Sequence, residues 1–436
     1  MFGTDGIRGF PYKEPLTKTT IFKIGYSFAT YLKKSSSLSN IFIAKDTRKS
    51  SDYIRKNITE GINCAGISVI NLNILPTASI SIFTNKYPDS AGLMITASHN
   101  NYKYNGIKFF NSLGEKLSRK DENEIVKVFN STSYKKLKKP KNVNYNSSLK
   151  EYVDEIIKRV DFSFSLKEKF AIDLSNGASY KATPMILKKL RINAKMISIS
   201  PQGLNINRNC GVEYIKKIST YVKKNNLSFG VAIDGDADRI IFVDKDGKFI
   251  EGDKVIYFLA KSLLRKNEPL VTTIMSNNIL ETKLKNNFKS IIRTEVGDKN
   301  VYSKMKEVDT SFGCENSGHY IFKDYLNTSD SNLTLLLILS LIEQKKFQFD
   351  SISKIQLNPS ALKSYEVNQK KPLKSIKELQ LFIQKFNNKY KKNSYINVRY
   401  SGTENKIRIL IQHPKEEVIE EQLLIFEQIL NEINKW

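Results

Sequence analysis

The stretch Phe229–Val243, FGVAIDGDADRIIFV, joins two apolar runs through a turn that carries three aspartates. The runs on either side of the turn are rich in Val, Ile and Phe, and this composition predicts two β-strands. Short runs of the same kind alternate with helical patterns along most of the 436-residue chain. Such alternation predicts an α/β fold with parallel or mixed sheets.

Three strand-and-helix units can be followed outward from this stretch. In the first, strands at Ile41–Lys45 and Ile67–Leu72 flank Ser50–Ala65, whose isoleucines recur at helical spacing on one face. The second unit begins with a strand at Phe170–Leu174, and the third begins with a strand at Leu270–Met275. Units of similar length predict a triplicated architecture.

The C-terminal part of the chain has a different pattern. A lysine-rich helix at Ser375–Tyr390 precedes strands at Tyr395–Tyr400 and Ile407–Gln412. A long helix at Glu416–Trp436 completes a separate α+β domain. With a weakly patterned surface connection at Ser131–Ser148, the predicted domains are 1–147, 148–248, 249–352 and 353–436.

The charge of the chain is strongly positive, with 70 Lys+Arg against 44 Asp+Glu and a net charge of +26. Either a solvated lysine surface or a polyanion-binding face fits this excess. Clustered arginines with interleaved aromatic residues are missing, so the solvated surface is the better interpretation and no nucleic-acid partner is expected. A positive field would also steer phosphorylated small molecules toward the protein.

The sequence indicates a cytoplasmic protein without a membrane partner. Asp5 and Arg8 interrupt the first residues where a signal peptide needs an apolar run, and no segment approaches about 18 apolar residues. Cys64, Cys210 and Cys314 are too few and too far apart for a disulfide framework, so we expect reduced thiols.

The acidic turn predicts a metal site. Asp234, Asp236 and Asp238 stand at alternate positions and can converge on one hard cation. An EF-hand loop does not fit, because its sixth position would be Arg239 instead of Gly and its twelfth Lys245 instead of Glu. An acidic turn in solvent is the simpler alternative, but a strand leads directly into this dense cluster. Few carboxylates completed by a phosphate oxygen favour Mg²⁺.

The run Thr96–Asn100, TASHN, follows a predicted strand at Ala91–Ile95. Ser98 beside His99 suggests a hydrolase, but adjacent loop residues do not by themselves form a nucleophile and base, and the nucleophile-elbow pattern is absent. Taken alone, this run is better interpreted as an ordinary polar loop.

A glycine-flanked turn at Gly313–His319, GCENSGH, carries further hydrogen-bonding groups. Glu315 and Ser317 are two positions apart and can point the same way, which suits vicinal hydroxyls of a sugar. His319 lies in the same polar turn rather than on an apolar face. An ordinary glycine-rich turn is the alternative.

The run Arg399–Glu404, RYSGTE, combines backbone amides, hydroxyls and a guanidinium, which can cradle a phosphate monoester. It lacks the Walker pattern, so a nucleoside triphosphate is not expected. Gly3–Gly9, GTDGIRG, is a loop of similar chemistry. The candidate phosphate-binding residues are Arg399, Ser401, Gly402, Thr403 and Arg408.

In chain order, GTDGIRG, TASHN, DGDADR, GCENSGH and RYSGTE resemble the motif set of the α-D-phosphohexomutase superfamily. The resemblance spans the whole chain. It implies four domains around a central cleft, three of them related α/β units and the fourth a phosphate-binding α+β domain. It also implies a phosphosugar mutase that needs Mg²⁺ and is primed by a sugar 1,6-bisphosphate.

The same resemblance assigns roles. It implies that Ser98 is the phosphorylated catalytic serine and that Mg²⁺ lies between its phosphate and the three aspartates of the acidic turn. Arg8 and Lys108 would take part in proton transfer or charge stabilisation, with proton transfer assigned to Lys108 because an arginine base needs strong perturbation. Residues assigned to positioning are Arg48, His99 and Arg239. Residues assigned to the substrate, besides the phosphate-binding set, are Gly297, Glu315, Ser317 and His319.

The substrate is implied by two loops. Pro201–Gly211 and Val296–Val301 are similar to the branch of the superfamily that acts on glucosamine phosphates, which serves amino-sugar and peptidoglycan precursor synthesis. The phosphomannomutase/phosphoglucomutase branch is the first alternative, and an inactive polyanion-binding relative is the second. A homodimer is one assembly compatible with the sequence. Departures from the branch pattern that bear on substrate choice are Gln202, Lys299, Asn300 and Asn405.

Replacement of Ser98 tests the central assignment. We expect Ser98→Ala to abolish turnover of a hexosamine phosphate while binding of the sugar phosphate persists, because only the phosphoryl acceptor is removed. Turnover assays and isothermal titration on the same preparation measure the two quantities. Turnover like that of the unmodified protein would show that Ser98 is not the acceptor.

Overall fold

The computed structural model describes residues 1–35, 38–131, 140, 142–160, 165–284, 289–390, 393–401 and 404–433. Within these ranges the strands form four sheets, of which three are mixed and one is antiparallel. The predicted class, three α/β units with mixed sheets followed by a C-terminal α+β domain, is confirmed. The described ranges contain no helix with the length and apolar character needed to cross a bilayer.

The first sheet has six strands. Its strands are β1 Ile7–Gly9, β2 Asn40–Lys45, β3 Ser68–Ile74, β4 Ser90–Ile95, β5 Asn105–Phe110 and β6 Val143–Asn144. The helices in this part of the chain are α1 Lys18–Ser35, α2 Ser51–Cys64, α3 Ala78–Lys86 and α4 Arg119–Asn130. The order is β1-β5-β4-β2-β3-β6, in which β4, β2, β3 and β6 are parallel and β5 and β1 are antiparallel to their neighbours.

One part of the predicted interdomain connection Ser131–Ser148 is structured. Its residues 143–144 pair with β3 as β6, because the backbone groups at that edge of the sheet are free to add a strand. Residues 132–139 and 141 lie outside the described ranges.

The second sheet contains the acidic turn and the two strands that flank it. Its elements are α5 Ser148–Arg159, β7 Phe170–Asp173, α6 Ala182–Lys189, β8 Ala194–Ile197, α7 Lys216–Lys224, β9 Phe229–Ile233, β10 Ile240–Asp244 and β11 Phe249–Ile250. The order is β11-β10-β9-β7-β8. β9 and β10 are an antiparallel pair in which every residue is buried, so the acidic turn between them is held at one edge of a rigid sheet.

The third sheet has the order β13-β12-β14-β15. Its strands are β12 Leu270–Thr273, β13 Ile291–Thr294, β14 Phe312–Cys314 and β15 Tyr320–Phe322. The helices are α8 Gly252–Leu263, α9 Ile279–Lys283, α10 Asp298–Val308, α11 Ser331–Glu343 and α12 Phe349–Ser353. Helix α11 is apolar on all sides and buried from Ser331 to Ile342, which explains why its sequence has no polar face.

The fourth sheet is antiparallel, with the order β16-β18-β17. Its elements are β16 Ser360–Glu366, a 3₁₀ turn Leu373–Ser375, α13 Lys377–Lys389, β17 Tyr395–Tyr400, β18 Lys406–Gln412 and α14 Glu416–Ile433. Strand β17 has the predicted bounds, while Gly402 and Thr403 lie outside the described ranges.

The apolar core shows how the units are joined. One buried cluster is continuous from Phe42 and Phe83 of the first unit through Phe229 of the second to Leu337 of the third. The C-terminal domain has a core of its own around Phe426. The predicted boundaries at 147, 248 and 352 stay predictions, and the second sheet extends to Ile250.

Helix α11 gives a test of this packing. Leu336 is fully buried in it, so Leu336→Ala should destabilise the protein by about 2–5 kcal/mol and lower the temperature of thermal unfolding. Leu424→Ala in α14 is the matched control, because 61% of Leu424 is exposed. Differential scanning calorimetry compares the two variants, and equal unfolding temperatures would contradict the packing described here.

Candidate active site

Three buried carboxylates converge at the turn between β9 and β10. One carboxylate oxygen each from Asp234, Asp236 and Asp238 lies within 4.8 Å of the other two. The turn is tight because Ala237 adopts a φ of 59° and Asp234 Oδ1 accepts hydrogen bonds from the backbone amides of Asp238 and Arg239, both at 3.1 Å. The local hydrogen bonds thus bring the predicted metal ligands together.

The cluster fits a divalent cation. Asp236 Oδ1 is buried and has no hydrogen-bond partner in the described part of the chain. Burial, with the neighbouring charges of Asp236 and Asp238, raises the pKa of Asp234 well above its ordinary value. Carboxylate oxygens are the ligands that hard cations prefer, and a cation would offset this crowding. These residues could therefore hold a metal ion.

Ser98 lies against the acidic turn although 136 positions separate it from Asp234. Its Oγ donates a hydrogen bond of 2.6 Å to Asp234 Oδ2, and its amide donates to Thr96 Oγ1 at 2.8 Å. Ser98 has a φ of 51°, a left-handed conformation that non-glycine residues adopt at a cost. Such backbone conformations persist where the surrounding structure holds them, often at functional sites.

Arg48 organises the loop that carries Ser98. It is buried, and its Nε donates to Asp46 Oδ2 at 2.8 Å. Its Nη atoms donate to four main-chain carbonyls of the loop, those of Ser98, Asn100, Asn101 and Tyr104. One guanidinium thereby shapes the whole turn after β4, in keeping with the positioning role implied for it.

Lys108 of β5 provides the main counter-charge. Its Nζ lies 2.6 Å from Asp238 Oδ2, 2.8 Å from Asp236 Oδ2 and 3.0 Å from Asp5 Oδ2. Burial alone would lower the pKa of Lys108, but the carboxylates of Asp236, Asp238 and Asp5 raise it well above the ordinary value. Lys108 is therefore an ammonium in this arrangement and compensates the charge of these carboxylates.

A further buried network was missed by the sequence analysis. Lys116 Nζ lies 2.6 Å from Asp298 Oδ2 and 2.8 Å from Asp5 Oδ1, so it links the first and third units beside Lys108. Asp5 lies in the motif GTDGIRG and Asp298 in the loop Val296–Val301. Their position in these motifs was a signal from which a role in the site could have been predicted. Lys116 gave no signal, because one lysine among many in this chain is indistinguishable from a solvated one.

His319 connects the glycine-flanked turn Gly313–His319 to the acidic cluster. Its Nδ1 is 2.7 Å from Glu315 Oε2, and its Nε2 is 3.1 Å from Asp238 Oδ1. Burial would lower the pKa of His319, but the carboxylates of Asp238 and Glu315 raise it to about 10. Glu315 Oε1 also accepts from the Gly297 amide at 2.9 Å. An imidazolium at His319 thus fixes the carboxylate of Glu315.

His99 and Arg239 lie beside these groups. Burial and the cationic Arg239 and Arg8 lower the pKa of His99 to about 3, so its imidazole is neutral. His99 Nδ1 is 3.3 Å from Ser98 Oγ, and Arg239 Nε is 3.3 Å from His319 Nε2. His99 therefore lies beside Ser98, and Arg239 lies beside His319.

A cavity of ≈ 570 Å³ opens between the first three units. This volume is within the range of small-molecule sites. Ser317 is exposed and Glu315 is buried, yet both contribute to the lining. The predicted site residues that line it are Arg8, Arg239, Gly297, Glu315, Ser317 and His319.

Three candidate phosphate-binding residues of the C-terminal domain, Arg399, Ser401 and Arg408, are not among the described residues that line this cavity. Arg399 and Arg408 are directly opposite each other on β17 and β18, and Arg408 Nη2 is 3.3 Å from Glu404 Oε2. Burial and the charge of Arg408 lower the pKa of Arg399. Like charges opposite one another are unfavourable, so this pair favours a bound anion.

Family comparisons agree with the domain pattern. The models for the phosphoglucomutase/phosphomannomutase alpha/beta/alpha domains I, II and III match residues 1–136, 150–247 and 251–358. A phosphoglucosamine mutase of Aliarcobacter butzleri is 34% identical and covers 97% of each chain. A protein of the same name from Nitratiruptor sp. is 35% identical over 99% of this chain and all of its own.

Solved structures share the fold. A phosphoglucomutase/phosphomannomutase family protein of Burkholderia thailandensis superposes with a TM-score of 0.83 at 19% identity, covering 99% of this chain and 97% of its own. The N-acetylphosphoglucosamine mutase of Aspergillus fumigatus, solved in complex with GlcNAc-6P and magnesium, has a TM-score of 0.64 at 15% identity. It covers 100% of this chain and 95% of its own.

Removal of one carboxylate tests the metal site. Asp236→Asn should weaken Mn²⁺ binding by about tenfold or more, because even residues behind metal ligands contribute 10–100-fold. Asp246→Asn is the control, since Asp246 is an exposed carboxylate near the same sheet. Electron paramagnetic resonance titration with Mn²⁺ measures both variants. Equal affinities would place the metal elsewhere.

Proposed function

This chain belongs to the phosphoglucomutase/phosphomannomutase family, and from that membership we propose that it interconverts glucosamine 6-phosphate and glucosamine 1-phosphate. The curated relatives that cover nearly the whole chain are named phosphoglucosamine mutase. The observation in the structure that carries the proposal is the 2.6 Å contact between Ser98 Oγ and Asp234 in a buried acidic cluster. The product would enter amino-sugar nucleotide and peptidoglycan precursor synthesis.

The cofactor we propose is Mg²⁺, held by Asp234, Asp236, Asp238 and a phosphate on Ser98. The unpartnered Asp236 Oδ1 supports this assignment. When bound, the ion withdraws charge from the phosphoryl group during transfer. A magnesium complex is known for the Aspergillus fumigatus enzyme that shares this fold.

The reaction would begin from phospho-Ser98. The bond from phosphorus to Ser98 Oγ breaks as the C1 hydroxyl of glucosamine 6-phosphate attacks; the hydroxyl loses its proton and Ser98 Oγ gains one. The resulting sugar 1,6-bisphosphate turns over in the cavity. Ser98 Oγ then loses its proton and attacks the phosphorus at C6; the bond from phosphorus to the C6 oxygen breaks and that oxygen gains a proton, which leaves glucosamine 1-phosphate and restores phospho-Ser98. A small amount of sugar 1,6-bisphosphate would first phosphorylate Ser98.

The protein's own side chains would manage protons and charge. Lys108 carries a proton on Nζ among the carboxylates; it would give this proton to Ser98 Oγ and take up the one that the C1 hydroxyl loses, so that it ends the step as an ammonium again. Arg8 and Arg239 line the cavity and would offset the charge of the substrate. Glu315, fixed by His319, would accept hydrogen bonds from sugar hydroxyls together with Ser317.

The phosphate that does not react would be held by the C-terminal domain. The pairing of Arg399 with Arg408 across two strands supports an anion site there. We propose that Ser401 and the Gly402–Thr403 segment complete it.

The cytoplasmic location and the homodimer stay predictions.

A comparison of substrates tests the proposed function. The purified protein, with Mg²⁺ and a trace of glucose 1,6-bisphosphate, is assayed with glucosamine 6-phosphate, glucose 6-phosphate and mannose 6-phosphate. We expect kcat/KM to favour the amino sugar by about tenfold or more. A site that forms a hydrogen bond with the amine of glucosamine discriminates strongly against sugars without that amine.

The other outcomes are distinct. Preference for the glucose or mannose phosphate would keep the mechanism and contradict the substrate. Absence of turnover on all three, with no phosphate taken up by Ser98, would contradict the mutase itself. Steeply salt-dependent binding of nucleic acid by such an inactive protein would instead indicate a polyanion-binding relative.

A further inference from the structure

The loop Pro201–Gly211 lies against the loop Thr96–Tyr104 that carries Ser98, called the serine loop below. Like Ser98 itself, the residues of loop 201–211 are not among the described residues that line the cavity. Instead, Gly203 O accepts a hydrogen bond of 3.0 Å from the Lys49 amide, next to Arg48 in the first unit. The loop 201–211, which is similar to that of the glucosamine-phosphate branch, therefore contacts the residues next to Arg48, the side chain that organises the serine loop.

Asn207 makes the closest of these contacts. Its Nδ2 donates to Ser98 O at 2.8 Å and to Asn100 O at 2.9 Å. Arg48 Nη2 donates to the same two carbonyls, at 2.9 Å and 2.7 Å. Each carbonyl thus accepts from one donor in its own unit and one donor in the second unit.

The side chain of Asn207 is held in one orientation. Asn207 has a backbone φ of 54°, and its backbone N–H donates a hydrogen bond of 2.9 Å to Ser175 O. Its Oδ1 is buried without a hydrogen-bond partner in the described ranges. Exchange of Oδ1 and Nδ2 would place an oxygen against two carbonyl oxygens, so the amide donates in the orientation observed.

The acidic turn also approaches Ser98 O and Asn207. A Cβ on Gly235 would lie 2.6 Å from Ser98 O and 2.9 Å from Asn207 Nδ2. A glycine is therefore needed here for the acidic turn to approach the serine loop. Asn207 stands where the serine loop, the acidic turn and the loop 201–211 meet.

We infer that Asn207 is a positioning residue for phosphoryl transfer, an inference that rests on the proposed function. The direction of the Ser98 carbonyl sets the peptide plane after Ser98 and hence the path of its strained backbone. By holding that carbonyl from the second unit, Asn207 aligns Ser98 Oγ with Asp234, which belongs to the same unit as Asn207. A misplacement of about 1 Å can slow a reaction by about 100-fold.

Three variants separate this role from general stability. Asn207→Ala removes the donor, and Asn207→Asp keeps the shape and the tolerance for positive φ while placing an oxygen against the two carbonyls. Asn209→Ala is the control, because Asn209 has a φ of 53° in the same loop and is exposed. Any effect of backbone strain alone should therefore be common to Asn207→Ala and Asn209→Ala.

Two rates are measured with the Mg²⁺-loaded protein. Transfer of labelled phosphate from glucose 1,6-bisphosphate to Ser98 is followed in a single turnover, and kcat and KM are determined for glucosamine 6-phosphate. We expect both Asn207 variants to lose about tenfold or more in labelling rate and kcat with KM nearly unchanged. Asn209→Ala should stay within about threefold of the unmodified protein, because Asn209 is exposed and its replacement leaves the contacts of Asn207 with Ser98 O and Asn100 O in place.

The outcomes are separable from those of the proposed function. Unmodified protein that takes up no label contradicts the proposed function. Labelled unmodified protein with Asn207 variants that label at the rate of Asn209→Ala contradicts this inference alone. A rise in KM at constant kcat would also contradict it, because it would show that the loop acts on the sugar.

Discussion

Repulsion among three buried carboxylates is the constraint on which the rest of the site depends. Asp234, Asp236 and Asp238 are fully buried, and burial of like charges is strongly unfavourable unless cations compensate it. Part of the compensation comes from Arg239 at the turn and part from other units, since Lys108 belongs to the first and His319 to the third. Assembly of the three units, which share one continuous core, therefore stabilises the acidic turn.

Ser98 has a left-handed backbone conformation where its loop approaches the acidic turn. Its loop must approach a backbone turn so closely that a glycine is required opposite the Ser98 carbonyl. Arg48 and Asn207 both donate hydrogen bonds to that carbonyl, and left-handed conformations of this kind persist where the surrounding structure holds them. The C-terminal domain, with a separate core, contributes a pair of opposed arginines and none of this network.

Prediction from the sequence succeeded where the signal was local. Strand β17 has the predicted bounds, and helix α11 was recognised from its continuous apolar run. The acidic turn was recognised because its three carboxylates are close in sequence. Lys116 and strand β6 were missed, since each depends on partners distant in sequence: Asp298 for the lysine, and the open edge of β3 for the strand.

By itself, the sequence determined the α/β class, the loops that carry reactive groups and the family resemblance, because motif spacing and apolar periodicity are properties of neighbouring residues. Only the tertiary structure decided how the groups meet. It placed Ser98 on Asp234, made Lys108 the counter-charge of the aspartates, and turned the loop 201–211 toward the serine. Charge and hydrogen bonding act through space, so distances between units are invisible in the order of residues.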